Sequence, residues 1–408
     1  MVHEGEAYAM SGTSSVQQAP SPRRLSLPDD FQLPPSCLRI VDLQCAAGRE
    51  ALTGEQRAEL AETYRVASCG PPAVENALLR LLTRSFSTES IPEYYRYTDL
   101  HVFGWFLSFH RHDPMTGAVL ALYTSLTWLL AEEERVAGHE SAPEYVPERL
   151  DRLRALVARV LELPMNPSET VDAAHVIERS RNDSRLAWRM SLLGECTGFP
   201  QSADHHENLF LRAVHACEVV FFAVRWLACR AIAGVAGDRD GGMRRMRHLT
   251  VYAGLFNEIF HVLRTLSPEM FMVFREATGA ASAVQSLNYH LMELVLYGYD
   301  ARKAEVFERF PHLAYLRSSD VRVQQSLRSA VLGSGDEGLR EMLEAVDGPM
   351  LAWRGRHYGF GRRYLADIAG SGGTEGAAYL KRFVRKELPL PAAPADDPSG
   401  ALLEFAYR

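Results

Sequence analysis

Apolar residues recur every three to four positions along most of the chain, and this helical period dominates from about residue 54 onward. Residues 147–162 show it clearly, because their leucines and valines share one face. We find no block in which apolar and polar residues alternate as in strands, and no convincing internal repeat. The pattern predicts an all-α fold, a helical bundle whose core lies between facing helices.

Capping residues and helix breakers divide this pattern into separate helices. Thr53 followed three residues later by Gln56 predicts a capping box at the start of one helix. Pro268 directly after Ser267 is expected to begin another helix at its first turn. The predicted helices cover residues 55–64, 73–84, 116–134, 147–162, 206–235, 243–266 and 282–298.

Composition divides the chain into four regions. Residues 1–36 are rich in Ser, Pro, Gln and Gly and are predicted to be a disordered tail, because they cannot bury enough apolar surface. A loop at 194–203 separates a helical N-terminal region, residues 37–200, from a second helical region, residues 201–390. Residues 391–408 are predicted to be a C-terminal tail.

Charge and cysteine content narrow the class of protein. The net charge of −7 shows no basic excess, so no nucleic-acid partner is expected. Six cysteines without C-x-x-C spacing favour a reducing cytoplasm over a disulfide framework or a zinc site. The apolar stretches 115–131 and 214–236 are interrupted by hydroxyl and charged residues, respectively, and are predicted to be core helices. We therefore expect a soluble cytoplasmic protein with no secretory leader and no membrane partner.

One segment near the C-terminal end combines a histidine with a glycine-rich loop. His357 lies on a predicted helix, and three of the first four residues of the loop at 370–376 are glycine. The backbone of such a loop can turn tightly and bring its N–H groups close to an anion. Alone, the histidine is more often a satisfied core or surface residue, and the loop more often a flexible connection. Their joint occurrence favours a ligand site.

The same segment resembles a known family. The string Trp353-Arg354-x-x-His357, followed by Gly370-Ser371-Gly372-Gly373-x-x-Gly376-x-x-Tyr379-Leu380, resembles the haem-ligand helix and substrate loop of the tryptophan 2,3-dioxygenase superfamily. The resemblance implies haem b with His357 as the proximal iron ligand, Trp353 and Arg354 in the cofactor site, and O2 as co-substrate. It further implies that residues 201–390 form the haem domain. The loop residues implied to close over the substrate are Gly370, Ser371, Gly372, Gly373 and Thr374.

Two further segments resemble this superfamily. Residues 266–276 resemble the stretch that ends in a substrate-binding arginine, which implies that Arg275 binds a carboxylate and that Phe271 and Phe274 wall the substrate pocket. A guanidinium fork matches a carboxylate in shape. From the residues alone, an ion pair of Arg275 with Glu276 or with a neighbouring helix is the alternative. Residues 282–289 resemble the helix start that follows this arginine.

The helix that begins near residue 206 departs from the family pattern. Its first residues resemble the distal-pocket helix, which implies that Phe210 lies in the substrate pocket. The ungapped match places Val214 at the position of the distal histidine and His215 one residue later. A shift of one residue turns a side chain by about 100° on a helix. His215 therefore either reaches the distal pocket through a local distortion of the helix, or faces elsewhere and leaves an apolar distal side with Val214. The second is the simpler expectation, and we assign no catalytic residue.

These resemblances predict a haem-dependent oxygenase acting on tryptophan or a related indole or aromatic amino acid. The long N-terminal half and the entry at 197–200 resemble the monodechloroaminopyrrolnitrin synthase branch, which implies oxidative ring cleavage or rearrangement in secondary metabolism, as in pyrrolnitrin biosynthesis. A non-catalytic haem sensor or carrier is one alternative. A di-iron oxygenase is another, because Glu258 and His261 have the ligand spacing, although no second Glu-x-x-His is found. Formation of a homo-oligomer is left open.

Overall fold

The computed structural model describes residues 33–138, 143–165, 172–365, 370, 373–386, 388 and 403–406. These ranges contain α-helices and short 3-10 turns, with an isolated β-bridge between Pro164 and Asp172 and no strand. The predicted all-α fold class is therefore confirmed. The α-helices of the described ranges are α1 Pro35–Cys45, α2 Gly54–Cys69, α3 Val74–Thr83, α4 Glu93–Thr98, α5 Leu100–Ser108, α6 Pro114–Ala137, α7 Val146–Leu161, α8 Ala173–Asn182, α9 Ser184–Glu195, α10 His206–Gly237, α11 Arg239–Leu263, α12 Pro268–Arg275, α13 Leu287–Tyr297, α14 Ala304–Arg309, α15 Ser319–Arg322, α16 Leu327–Ser334, α17 Glu337–Tyr364 and α18 Ala377–Arg382.

Helices α10 and α11 form the central pair of the bundle. Asp238 links them and caps α11, because its side chain accepts a hydrogen bond from the backbone N–H of Gly241 at 2.9 Å. The two helices approach closely at Gly234 and Gly242, where a Cβ on Gly234 would lie 2.7 Å from the Cα of Gly242. Helices α6, α13 and α16 pack on other faces of α10, and α17 packs along α11.

The two longest apolar stretches of the sequence are α6 and α10. Both helices are long and apolar enough to cross a membrane, but 67% and 72% of their most apolar windows are buried inside the fold. Arg212 and Arg225 on α10 are fully buried and bonded to protein groups, as expected of a core helix. The prediction of core helices is confirmed for both stretches.

The cap signals lie where the sequence predicts them. The side chains of Thr53 and Gln56 form a reciprocal capping box at the start of α2, and Pro268 occupies the first turn of α12. Several short helices were not predicted, α5 among them, because nearly every residue of α5 is buried and no polar face marks it. Helix α13 begins at Leu287 instead of residue 282, because a 3-10 turn precedes it.

One hydrophobic core runs through both predicted helical regions, from Leu33 to Ala406. Part of the predicted C-terminal tail belongs to this core, because Phe405 and Ala406 are buried against it. The predicted N-terminal tail lies outside the described residues up to residue 32, and α1 begins at Pro35. Of the other residues after 388, 389–402 and 407–408 also lie outside the described ranges.

Candidate active site

A cavity of about 240 Å³, which is open to solvent, lies between α4, α10, α12, α17 and the segment that leads into α18. Much of its wall is aromatic, and its lining includes Tyr94, Tyr97, Phe210, Phe221, Tyr289 and Phe360. The wall is therefore suited to flat apolar and aromatic groups.

His357 faces this cavity from α17. Its ring packs against Phe260 of α11, with ring centres 5.4 Å apart, and lies nearly parallel to Trp353 one turn earlier. Asn257 of α11 anchors the middle of α17 by donating to the carbonyl of Pro349 at 2.9 Å. Within the described part of the chain neither ring nitrogen of His357 has a hydrogen bond. Burial lowers the pKa of His357 to about 4, so the imidazole is neutral near pH 7 and keeps a free lone pair.

Trp353 presents a second group without a partner. Its indole stacks on Phe256 at 4.6 Å and contacts Phe221 at 5.7 Å, which holds the ring at the cavity wall. The Nε1 atom is buried and has no hydrogen-bond partner in the described residues. A buried donor without a partner costs free energy, which a bound group with an acceptor would recover. A neutral imidazole, an unpartnered N–H and a large aromatic cavity together fit a haem.

Arg354 lies on the other side of α17. Its Nε donates to the carbonyl of Val384 at 2.8 Å, and its guanidinium pairs with the buried Glu293 at 3.4 Å. The side chain is not part of the cavity wall. The structure thus places Trp353 and His357 in the cavity and Arg354 in an ion-pair cluster behind it.

Arg275 lines the cavity at the end of α12. Its guanidinium has no hydrogen bond or ion pair among the described residues, so the alternative pairing with Glu276 or a neighbouring helix is not found there. Partial burial lowers the pKa of Arg275, although a guanidinium stays charged at neutral pH. An unpaired cation at the wall of an aromatic cavity is suited to bind a ligand carboxylate.

The three phenylalanines form one aromatic cluster with different exposures to the cavity. Phe210 and Phe271 line it, with ring centres 5.6 Å apart. Phe274 lies behind them, fully buried, 5.7 Å from Phe210 and 5.4 Å from Phe271. Phe274 therefore supports the wall and does not contact the cavity.

On α10 the cavity meets Val214. His215 points away from it, and its Nε2 contacts the carbonyl of Thr98 at 2.6 Å while its ring packs on Phe103. Burial lowers the pKa of His215 to about 3, so this ring is neutral and donates to that carbonyl. The histidine joins α10 to α4, and the α10 wall of the cavity is apolar, as the one-residue shift in the sequence predicts.

The glycine-rich loop contributes residues to the cavity wall. Gly370 and Thr374 line the cavity, and their backbones are joined by a hydrogen bond of 3.0 Å. Gly373 has a φ of +67°, which favours glycine, and its carbonyl accepts from Arg309 at 3.0 Å. Ser371 and Gly372 lie outside the described residues.

Helix α4 also contributes to the cavity, which no sequence pattern indicates. Tyr94 and Tyr97 line the cavity from the N-terminal region. The hydroxyl of Tyr94 donates to Glu218 at 2.6 Å, and the backbone N–H of Tyr94 donates to Gln285 at 3.1 Å. Three of the four residues at 94–97 are tyrosines, but this composition does not indicate a site, because these residues lie far along the chain from the other segments.

Metal-ligand geometry elsewhere does not support a di-iron site. Among the described residues, a group of three potential ligands is formed by Asp204, His205 and His206, and neither Glu258 nor His261 belongs to it. The guanidinium of Arg149 lies 3.4 Å from the Nδ1 of His206, which disfavours a second cation.

The chain is similar over part of its length to tryptophan 2,3-dioxygenases. No family model matches it. The tryptophan 2,3-dioxygenase of Ruegeria pomeroyi is 25% identical over 236 residues, which cover 47% of this chain and 84% of the relative. That of Nocardioides sp. is 24% identical over 241 residues, 50% and 87% of the two chains. That of Anaeromyxobacter dehalogenans is 26% identical over 236 residues, 48% and 86%.

These relatives support the superfamily that the motifs indicate. They also indicate that the chain is an oxidoreductase. Each similarity extends over most of the relative but leaves about half of this chain unmatched, so this chain is similar to tryptophan 2,3-dioxygenases over about half of its length and differs from them in the rest.

Proposed function

We propose that the protein is a haem-dependent oxygenase of tryptophan or of a related indole or aromatic amino acid. The observation that carries the proposal is the pairing of His357 and Arg275 in one aromatic cavity, where both lack partners among the described residues. Polar groups buried without partners are costly, and such groups in a cavity are suited to a ligand. The relatives named tryptophan 2,3-dioxygenase agree with this interpretation.

His357 is proposed to hold the haem iron, and the Trp353 N–H to donate to an acceptor of the bound group. When bound, the haem supplies the chemistry that activates O2 for transfer to an organic substrate. The protein contributes a neutral ligand on a fixed helix. Phe260 and Trp353 restrict the rotation of the imidazole ring, so its orientation is set before the cofactor binds.

The substrate is proposed to lie between Arg275 and the aromatic wall. Arg275 binds the carboxylate, while Phe210 and Phe271 contact the aromatic ring. Thr374 and Gly370 line the cavity, where the loop is proposed to exclude water from the bound substrate. Ser371 is proposed to orient the amino group.

The finer proposal is oxidative ring cleavage or rearrangement of a chlorinated tryptophan in secondary metabolism, as in the monodechloroaminopyrrolnitrin synthase branch. Two features support a departure from strict tryptophan dioxygenation. The position implied for the distal histidine is Val214, and the N-terminal region contributes Tyr94 and Tyr97 to the cavity. Without an imidazole at position 214, an indole N–H loses a hydrogen-bond partner there.

The test is an absorption spectrum of the purified, haem-reconstituted and reduced protein, with and without L-tryptophan and its chlorinated analogues. A histidine-ligated haem band that shifts with one of these indoles supports the oxygenase and identifies its substrate class. A haem band that responds to no indole would favour a sensor or carrier. Failure to bind haem at all would refute the proposal.

A further inference from the structure

A chain of buried hydrogen bonds joins the C-terminal residues of the protein to the wall of the cavity. The backbone N–H of Ala406 donates to Oδ1 of Asn288 at 3.0 Å. The Nδ2 of Asn288 donates to Glu218 at 2.9 Å, and Glu218 also accepts from the hydroxyl of Tyr94 at 2.6 Å. Asn288 and Glu218 are fully buried, so water does not compete for these bonds.

A second contact fixes the same C-terminal segment. Arg225 of α10 donates to the backbone carbonyl of Glu404 and, at 3.2 Å, to Oδ1 of Asn288. The ring of Phe405 inserts between α5 and α10, with its centre 6.5 Å from that of Phe103 and 5.7 Å from that of Phe222. Phe405 is 6% exposed. The segment 403–406 is therefore docked by one aromatic side chain and by backbone groups.

Two members of this hydrogen-bond chain, Tyr94 and Asn288, lie at or next to the cavity wall. Tyr94 borders the cavity, and Asn288 directly precedes Tyr289, which borders it as well. The carboxylate of Glu218 accepts from Tyr94, Ser286 and Asn288 and faces the charge of Arg225. Loss of the C-terminal segment removes the Ala406 N–H from Asn288 and the Glu404 carbonyl from Arg225, so that Asn288 is held by Arg225 and Glu218 alone. A shift of Arg225 and Asn288 after this loss weakens one of the donors that hold Glu218 against Tyr94.

We propose that the segment 403–406 is a positioning element of the active site, which holds Tyr94 in the cavity wall through Asn288 and Glu218. The role of Tyr94 toward a substrate rests on the proposed function; the mechanical link does not. Phe405 anchors the segment in the core. Asn288 bonds both to the segment and to Glu218, and Glu218 holds the hydroxyl of Tyr94. Docking of the segment thereby sets the shape of the cavity without contributing a side chain to it.

The experiment uses the full-length chain, its Phe405→Ala variant and a matched control, Phe109→Ala, which removes the same ring from an exposed position. Hydrogen exchange of the α4 amides, Glu93–Thr98, reports on the wall and needs neither haem nor substrate. We expect exchange in α4 to be about tenfold faster in Phe405→Ala, a change that corresponds to 1.4 kcal/mol. We expect the control to exchange as the parent protein does.

Rescue separates positioning from general loss of stability. A chain that ends at residue 402 should show the same fast exchange, and a synthetic peptide of residues 403–408 should restore the parent rate. The same peptide with Phe405→Ala should leave the exchange rate of α4 as fast as in the shortened chain. Unchanged α4 exchange in Phe405→Ala, or equal acceleration throughout the fold that the peptide does not reverse, would overturn the proposal.

Substrate binding adds a readout tied to the cavity. If haem and tryptophan bind as proposed, Phe405→Ala keeps its haem and binds L-tryptophan about tenfold more weakly. The Tyr94→Phe variant, which lacks the hydroxyl that Glu218 holds, should make tryptophan affinity insensitive to Phe405→Ala. Additive losses in the double variant would contradict the link. If the parent protein binds no haem, the proposed function fails, while α4 exchange still decides the positioning role.

Discussion

Two neighbouring regions of the molecule contain the same kinds of polar side chain, which lack partners in one region and are paired in the other. The cavity holds His357, Arg275 and the N–H of Trp353 without partners in the described residues. Behind its wall, Glu293 and Asp300 lie among basic residues that are all paired. The two regions are not separate in sequence, because Trp353 belongs to the cavity and the adjacent Arg354 belongs to the paired region.

The paired region is an ion cluster, which we define as Glu293, Asp300, Arg302, Lys303, Arg354 and Lys386. All of its members except the exposed Arg302 are buried. Each member has an opposite charge within 3.5 Å, including Lys303 to Glu293 at 3.5 Å and Lys386 to Asp300 at 3.2 Å. Burial alone would raise the pKa of Glu293, but the basic neighbours lower it to about 2. This region holds α13, α17 and the segment after α18 together.

The comparison shows where chemistry can occur. A charged group that is already paired within the fold contributes little to ligand binding, and its removal destabilises the fold. A charge or donor without a partner offers its full interaction energy to whatever binds. The variants below separate these two cases, from the largest expected effect to the smallest.

Replacing His357 by alanine should abolish haem binding, because no other described residue of the cavity wall offers an imidazole. The fold should remain, since the ring has no hydrogen bond to lose there. The measurement is the haem absorbance of the reconstituted variant. His261→Ala, which removes a half-exposed histidine from α11, is the matched control and should bind haem normally. A histidine-ligated spectrum at full occupancy in His357→Ala would refute the ligand assignment.

Replacing Glu293 by alanine should lower the free energy of unfolding by about 3–5 kcal/mol, because it leaves three buried cations short of a counter-charge. Urea denaturation followed by circular dichroism measures this change. The exposed Glu258→Ala on α11 is the control and should change the stability by less than about 0.5 kcal/mol. Equal stabilities of the two variants would show that the cluster does not depend on this carboxylate.

Replacing Arg275 by alanine should weaken the binding of L-tryptophan by about 10–100-fold, since hydrogen bonds to a charged group contribute about 1.5–3 kcal/mol. Unfolding stability and haem content should stay at the parent values, because the guanidinium has no partner in the described residues. Titration by calorimetry measures the affinity. Indole, which has no carboxylate, is the control ligand; an equal loss for indole and tryptophan would contradict the role of Arg275.

Replacing Trp353 by phenylalanine should have the smallest effect. The stack on Phe256 is kept, and the unpartnered N–H is removed, so the protein without haem should be as stable as the parent within about 0.5 kcal/mol. Haem affinity should fall by about fivefold, equivalent to about 1 kcal/mol, which a competition assay against apomyoglobin can measure. A loss of stability with unchanged haem affinity would assign Trp353 to the core alone.

Much of the cavity could be anticipated from local sequence. The motif around His357 and the stretch ending at Arg275 each bring their residues to the wall, because spacing on a single helix or turn decides which side chains share a face. The same rule anticipated Val214 in the wall and His215 outside it. These inferences needed only the period of a helix and the resemblance.

Other placements could not be anticipated, because they depend on which elements meet. Arg354 resembles a cofactor residue in sequence, yet Val384 and Glu293 hold it behind the wall. Phe274 belongs to the same motif as Phe271 but is screened from the cavity by its neighbours. Tyr94 and Phe405 lie far from the motifs along the chain, and no local pattern indicates that they approach the site.

The sequence alone thus specified helices, caps and the side chains available on each helical face, since these follow from interactions between residues a few positions apart. Tertiary packing decided which of these side chains keep a free charge or donor. Partners such as Glu293 for Arg354, or Thr98 for His215, come from distant segments, and only the folded chain brings them within hydrogen-bonding distance.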